Sequence, residues 1–331
     1  MIYGKNNILK FKSSHFYIDK LIKHTNKSQQ LWNNYKIKYM KVYKNQIEEN
    51  VHMEAFFDKI ALINNHNNKN INGNESYYLN INHFTDYTQP DYQKMIGKSF
   101  NVSSKVYNDK INFNKQISVP KAIDWRHYGA ITDVKNQGLC GNGWIFAANA
   151  AIEAIWKGNT RNLVSFSSQA VADCTKGDSC TGGWIEDAFE YSKYYGMIKE
   201  TDYPYKFGKD GECKYKDYEI VGKISRWIHL QTNDEEYLKF YIGTIGPVVV
   251  GMDASLKTFQ AYSHGIYDDP ECSHTLNHVV LLIGYGKDDF NGDYWIAKNS
   301  YGTSWGEQGY FRIKRGVNKC GIALAAAAPI V

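Results

Sequence analysis

The chain has 331 residues, 43% of them hydrophobic, with 26 Tyr, 8 Trp and only 6 Pro, enough to bury a large core and suited to a main domain with a smaller companion. No apolar stretch reaches the roughly 18 residues of a membrane-spanning helix, and no basic run is dense enough to follow a nucleic-acid backbone, so neither membrane nor nucleic acid is expected as a partner. The formal charge of +5 is uneven: residues 1–118 carry 17 Lys and no Arg against 9 Asp and Glu, while the remainder holds 22 basic and 25 acidic residues, so the two parts can attract each other within one molecule.

In chain order, the N-terminal "MIYGKNNILKFKSSHF" lacks the apolar core of a secretion signal. Residues 16–68 read as helical; within them Val51, Ala55, Phe56, Lys59, Ile60 and Ile63 fall at three- and four-residue steps, an amphipathic stripe. The Asn-rich "NNHNNKNINGNES" closes it as a loop. "YYLNINHFTDYT" reads as extended, with Tyr78, Asn80, Asn82 and Phe84 on one side, and residues 90–118 read as an exposed connector. Beyond residue 118 the texture changes. Residues 143–157 form a nearly all-apolar helix that must be buried. "SFSSQAVADC" and "GGWIEDAFEYSKYYG" read as shorter helices, and "GPVVVGM", "NHVVLLIGYG", "DYWIAKNS" and "GYFRIKRG" as strands. Helices first and strands later imply an α+β domain of two lobes.

All six cysteines lie in the second part, at 140, 174, 180, 213, 272 and 320. An even count confined to one region points to disulfides and an oxidising compartment. Three Asn-x-Ser sequons, at Asn26, Asn74 and Asn101, point the same way, against the missing signal segment. No CxxC pair and no His/Cys cluster is present, and no metal or cofactor is expected.

"QGLCGNGWIFA" resembles the nucleophile segment of the papain-like cysteine peptidases, whose local pattern is C-G-[SA]-C-[WY]; here it reads Cys140-Gly141-Asn142-Gly143-Trp144. "LNHVVLLIGYG" places His278 in the family's histidine context and "YWIAKNSYGTSWGEQGYFRI" places Asn299 in its asparagine context, 135 and 156 residues beyond position 143. "VPKAIDWR" resembles a mature N-terminus and "CGIALAAAAPIV" a cathepsin L-type C-terminus. The first part is similar to the cathepsin L-like propeptide, through Glu48, Phe56, Ile63 and Asn67 on the helix, with His52 and Lys59 as departures, and through Asn82, Phe84 and Asp86 after it, with Asn80 departing from Gly.

The resemblance implies a papain-like fold with a helical left lobe and a β-barrel-like right lobe over residues 119–331. A helical inhibitory propeptide over 1–118, with its connector at 90–118, is then expected to lie in the cleft of a monomer. It implies disulfides Cys140–Cys180, Cys174–Cys213 and Cys272–Cys320, and a lysosomal or extracellular setting. Carried over residue by residue, Gln137 is the oxyanion donor, His278 the base, Asn299 its orienter, and Gly143 stands at the nucleophile position. Gly182, Gly183, Trp184, Ile185, Leu276 and Ala325 are the expected substrate-binding wall and pocket, open to peptide or protein ligands. Peptide hydrolysis by this route needs a thiolate at a helix N-terminus, a base beside it and donors for the oxyanion. Glycine offers neither thiol nor hydroxyl. Val279, Ile145, Tyr301 and Ser168 depart from the family pattern nearby. The expected function is that of an inactive peptidase homologue that binds peptides. The alternatives are an active endopeptidase whose position 143 was mutated or misread, and a structural, storage or defence protein on the same scaffold.

Overall fold

The computed structural model describes residues 26–71, 73, 75–100, 118–175, 179–208 and 211–331. The sequons at Asn74 and Asn101, the Asn26 side chain, residues 16–25 of the helical reading and 101–117 of the connector lie outside them.

Two helices begin the described chain, α1 (Asn26–Lys38) and α2 (Gln46–Ile71). They close on an aromatic cluster in which Trp32, Tyr35, Met53 and Phe56 are buried. Of the expected stripe on α2, Phe56, Lys59 and Ile63 are buried, whereas Val51 is 49% exposed. The expected extended face is also corrected. Strand β1 covers only Tyr77–Leu79 and turns Tyr78 outward, between buried Tyr77 and Leu79. A turn ends it: Asn82 N–H donates to Thr85 Oγ1 and Thr85 N–H to the Asn82 carbonyl, so Asn82 and Phe84 bury while Asn80 stays exposed.

The connector reading fails over its first part, where α3 spans Gln89–Ile96. Thr88 caps it reciprocally with Asp91, Pro90 stands in its first turn, and Gly97 stops it at φ +81°. Tyr92, Met95 and Ile96 pack into the main core.

The second part begins with β2 (Ile123–Asp124) and the long helix α4 (Gly143–Thr160), followed by α5 (Ser168–Cys174) and α6 (Ile185–Tyr194). Then come β3 (Arg226–His229), α7 (Glu235–Thr244), β4 (Val248–Met252), α8 (Lys257–Gln260) and β5 (Tyr262–Tyr267). Strands β6 (His278–Asp288), β7 (Gly292–Lys298), β8 (Tyr310–Lys314) and β9 (Ala326–Ile330) complete it. The strand order is β1-β5-β8-β7-β6-β4-β9-β3, with β2 paired to β6. One core lies around α4, with Phe189 and Trp227. The other lies under the sheet, and Ile63, Tyr77, Leu79, Phe84, Tyr92, Met95 and Ile96 of the N-terminal part are fused into it. Disulfides join Cys140 to Cys180, Cys174 to Cys213 and Cys272 to Cys320, leaving no free cysteine among the described residues.

Candidate active site

Helix α4 starts at Gly143, which is buried, and its N-cap Asn142 makes no side-chain capping bond. Across the lobe boundary, β6 starts at His278. Its Nε2 lies 2.9 Å from Asn299 Oδ1, which also accepts from the Ser300 N–H at 2.8 Å. The second contact fixes the amide orientation and makes Nε2 the protonated nitrogen. Nδ1 then faces Gly143. A Cβ built on Gly143 would stand 3.0 Å from Nδ1, 2.6 Å from His278 Cε1 and 3.2 Å from Gln137 Oε1. The imidazole thus sits against the space a side chain at 143 would take. Tyr301 lies tilted against the ring with centroids 4.9 Å apart, and burial pulls the His278 pKa down to about 4, with the Asn299 hydrogen bond opposing.

Gln137 is fully buried. Its Oε1 accepts from Ser300 Oγ at 2.5 Å, and its Nε2 donates to the Cys140 carbonyl at 2.7 Å and to the Met95 carbonyl at 2.8 Å. The last partner belongs to α3, so the N-terminal part reaches the floor of the cleft. Its backbone touches both walls beyond that point: Lys98 N–H donates to the Thr181 carbonyl at 3.2 Å and Phe100 N–H to the Leu276 carbonyl at 2.8 Å. Gly141 permits this crossing, since a Cβ there would stand 2.8 Å from Gly97 Cα and 2.5 Å from the Cys180 carbonyl. The Phe100 ring meets Trp184 edge to face at 6.0 Å and lies against Gly251 beside the Leu276 side chain.

The sequence-expected wall is therefore assembled unevenly. Gly182, Gly183 and Trp184 line a cavity of ≈ 350 Å³ together with Gly143, Trp144, His278, Val279 and residues of the N-terminal segment. Leu276 adjoins it through Phe100. Ile185 does not: it is 5% exposed and belongs to the core around α4, because as first residue of α6 it turns toward the helix-packing side. Ala325 is half-buried, and its carbonyl accepts from the N–H of Gly251, the β4 residue against which Phe100 lies.

The N-terminal part is fastened by a second polar set. Asp86 is 1% exposed and accepts from Tyr35 Oη at 2.6 Å, Lys41 Nζ at 2.7 Å and Tyr43 Oη at 2.8 Å. Asn82 Nδ2 donates to the Gln260 carbonyl, and Asn67 exchanges two bonds with Leu79. Glu48 accepts from the Lys44 N–H near the start of α2. Sequence reasoning missed Met95, Gly97, Phe100 and Ser300. The capped start of α3 and Gly97 were its readable signals. It also missed a buried charge group behind the site. There Glu153 accepts from Thr132 Oγ1 and Phe166 N–H and lies 3.5 Å from Lys135, while Lys298 donates to Thr132. Burial lowers the Lys298 pKa to about 8, with the Glu153 charge opposing.

Residues 119–330 match the papain family of cysteine proteases, and residues 32–92 match the cathepsin propeptide inhibitor domain. The chain belongs to the papain family. It is 36% identical to cathepsin L of Sarcophaga peregrina over 313 residues, covering 91% of this chain and 92% of that protein. It is 39% identical to a cathepsin L-like protein of Caenorhabditis elegans over 310 residues, covering 91% of each. Digestive procathepsin L2 of Tenebrio molitor superposes with a TM-score of 0.84 at 34% identity, over 92% of this chain and 99% of that one. The stem bromelain precursor gives 0.83 at 36% identity, over 92% and 98%. The papain-like fold and the cathepsin L-like proform are thus established, with the propeptide lying over the cleft.

Proposed function

We propose that this proform is a peptidase homologue that has lost covalent catalysis and keeps a peptide-binding cleft. In this reading Gln137, His278 and Asn299 are the remaining members of the catalytic set, and Gly143 is the vacated nucleophile position. One observation carries it: the N-terminus of α4, facing His278 Nδ1, presents a residue without a side chain. No second thiol stands in, because Cys140, the nearest, is joined to Cys180. Losing the nucleophile of such a set leaves only a residual rate from the oxyanion donors and binding. The groove itself supports binding, since it already holds an extended segment by backbone bonds on both walls and an aromatic side chain against Trp184. Such a proform does not remove its own propeptide and depends on another protease cutting between residues 100 and 118. The disulfides and the cathepsin-like relatives favour a lysosomal or extracellular setting.

The test is an active-site thiol probe on the chain after propeptide removal, beside a Gly143→Cys variant. The expected result is intact-mass labelling of the variant alone. Labelling of the original chain at a cysteine, with peptide cleavage, would overturn the reading.

A further inference from the structure

Deletion of the nucleophile changes the charge of the cleft floor as well as its reactivity. In a cysteine enzyme of this family design a thiolate sits at the helix N-terminus and would repel a second anion there. Here Gly143 contributes no charge. What remains is a helix N-terminus facing a buried imidazole, with the Gln137 amide beside them. The first-turn N–H groups of the 18-residue helix α4 have no side-chain cap, and such a terminus favours negative charge. Gln137 borders the same space, its Oε1 3.2 Å from where a Gly143 Cβ would stand, while its Nε2 holds the Met95 carbonyl at 2.8 Å, a donor that withdrawal of the propeptide sets free. Independently, His278 is 2% exposed, and its Nδ1 is aimed into this space with no hydrogen-bond partner among the described residues.

We propose that, once the propeptide withdraws, this floor binds the free C-terminal carboxylate of a peptide, with an aromatic or aliphatic side chain near its end entering the pocket that Phe100 fills. The ligands are chain ends that carry a free carboxylate rather than internal stretches of a chain. This rests on the reading of the cleft as a peptide groove and adds the end-group selectivity.

His278 Nε2 carries the hydrogen, so neutral Nδ1 offers a lone pair that would repel a carboxylate. Binding therefore takes up one proton, shared between Nδ1 and the carboxylate oxygen. Of the groups packed around the ring, Gly143, Gln137 and Asn299 do not titrate. Tyr301, with Tyr92 behind it, is held neutral by burial. Lys298 turns away to Thr132. His278 is the acceptor of that proton, and affinity rises as pH falls from neutrality.

The experiment uses the full chain, nicked between residues 100 and 118 by a second protease so that the propeptide can be displaced. A fluorescein-labelled peptide ending Val-Phe-Ala with a free carboxylate is compared with its C-terminal amide by anisotropy. The acid is expected to bind at least about tenfold more tightly than the amide near pH 5, with the ratio shrinking toward pH 8. His278→Gln is expected to abolish the ratio. Equal affinity of acid and amide, a ratio that does not fall with rising pH, or a ratio that survives in a folded His278→Gln would overturn the inference and leave the groove standing. Failure of both peptides to bind would remove the groove reading and this inference with it.

Discussion

The propeptide fastening and the cleft floor meet at Met95 and Gln137, and they tolerate sequence change in opposite ways. The fastening departs from the family pattern at His52, Lys59 and Asn80, yet it stays closed. His52 Nδ1 finds the Asp86 carbonyl at 2.9 Å, and Lys59 finds Gln260. Asp86 keeps three donors from α1 and the loop after it. Its free energy is spread over many bonds and apolar contacts, so one altered side chain is absorbed by another. The cleft floor instead depends on one atom. His278 keeps its bond to Asn299 and Gln137 its bond from Ser300 without it, and no neighbour supplies a nucleophile. Binding surfaces degrade gradually, whereas nucleophilic catalysis fails at a single position.

The largest effect that sharpens this contrast is expected from Gly143→Cys. We expect hydrolysis of an apolar-aromatic peptide by the propeptide-free variant to rise on the order of 10³-fold or more over the original chain. The gain should stay below that of a cathepsin L-type relative, because the new Cβ stands 2.6 Å from His278 Cε1 and the ring must withdraw. Measuring kcat/KM for the pair decides it, and a variant as inert as the original would show that the ring does not move.

Asp86→Asn attacks the other side of the comparison. It leaves Lys41 without its buried carboxylate partner at 2.7 Å, a loss of about 3 kcal/mol. The proform should unfold at lower temperature, and trypsin should cut α1 and α2 sooner. Unchanged Tm would show that Tyr35 and Tyr43 suffice. Phe100→Ala removes the ring set against Trp184 and should weaken the nicked propeptide by about 2 kcal/mol, read as a faster propeptide off-rate.

The smallest effect is a pH slope. Burial lowers the Lys59 pKa to about 7, against about 10.4 for a free lysine. Between those values the released propeptide binds a proton that the docked one does not. Docking therefore strengthens as pH rises from about 7 to 10 and is flat with respect to Lys59 below 7. Lys59→Gln should remove that alkaline slope in propeptide affinity, and a slope that persists would assign it to another group.

Much of this architecture is legible in particular residues. The apolar run after Gly143 demanded a buried helix, and α4 is buried along most of its length. The Val- and Ile-rich runs with Gly and Asn borders gave β4, β6, β7 and β8. The misses have local causes. Helix α3 carried a Thr-x-x-Asp cap and a Gly stop, but it spans only eight residues and shows little periodicity. Motif adjacency put Ile185 beside Trp184, yet entering a helix rotates the next side chain by about 100°, which sends it to the core. Phe100 could not be singled out, because its pocket is made from β4, Trp184 and Leu276, far apart in the chain.

The most direct test of the central claim follows cleavage and binding in one sample. Propeptide-free chain is mixed with an apolar-aromatic peptide, while anisotropy reports the complex and mass spectrometry the products. The account predicts a saturable complex with the peptide intact over hours. Rapid cleavage that a thiol-alkylating reagent abolishes would contradict it.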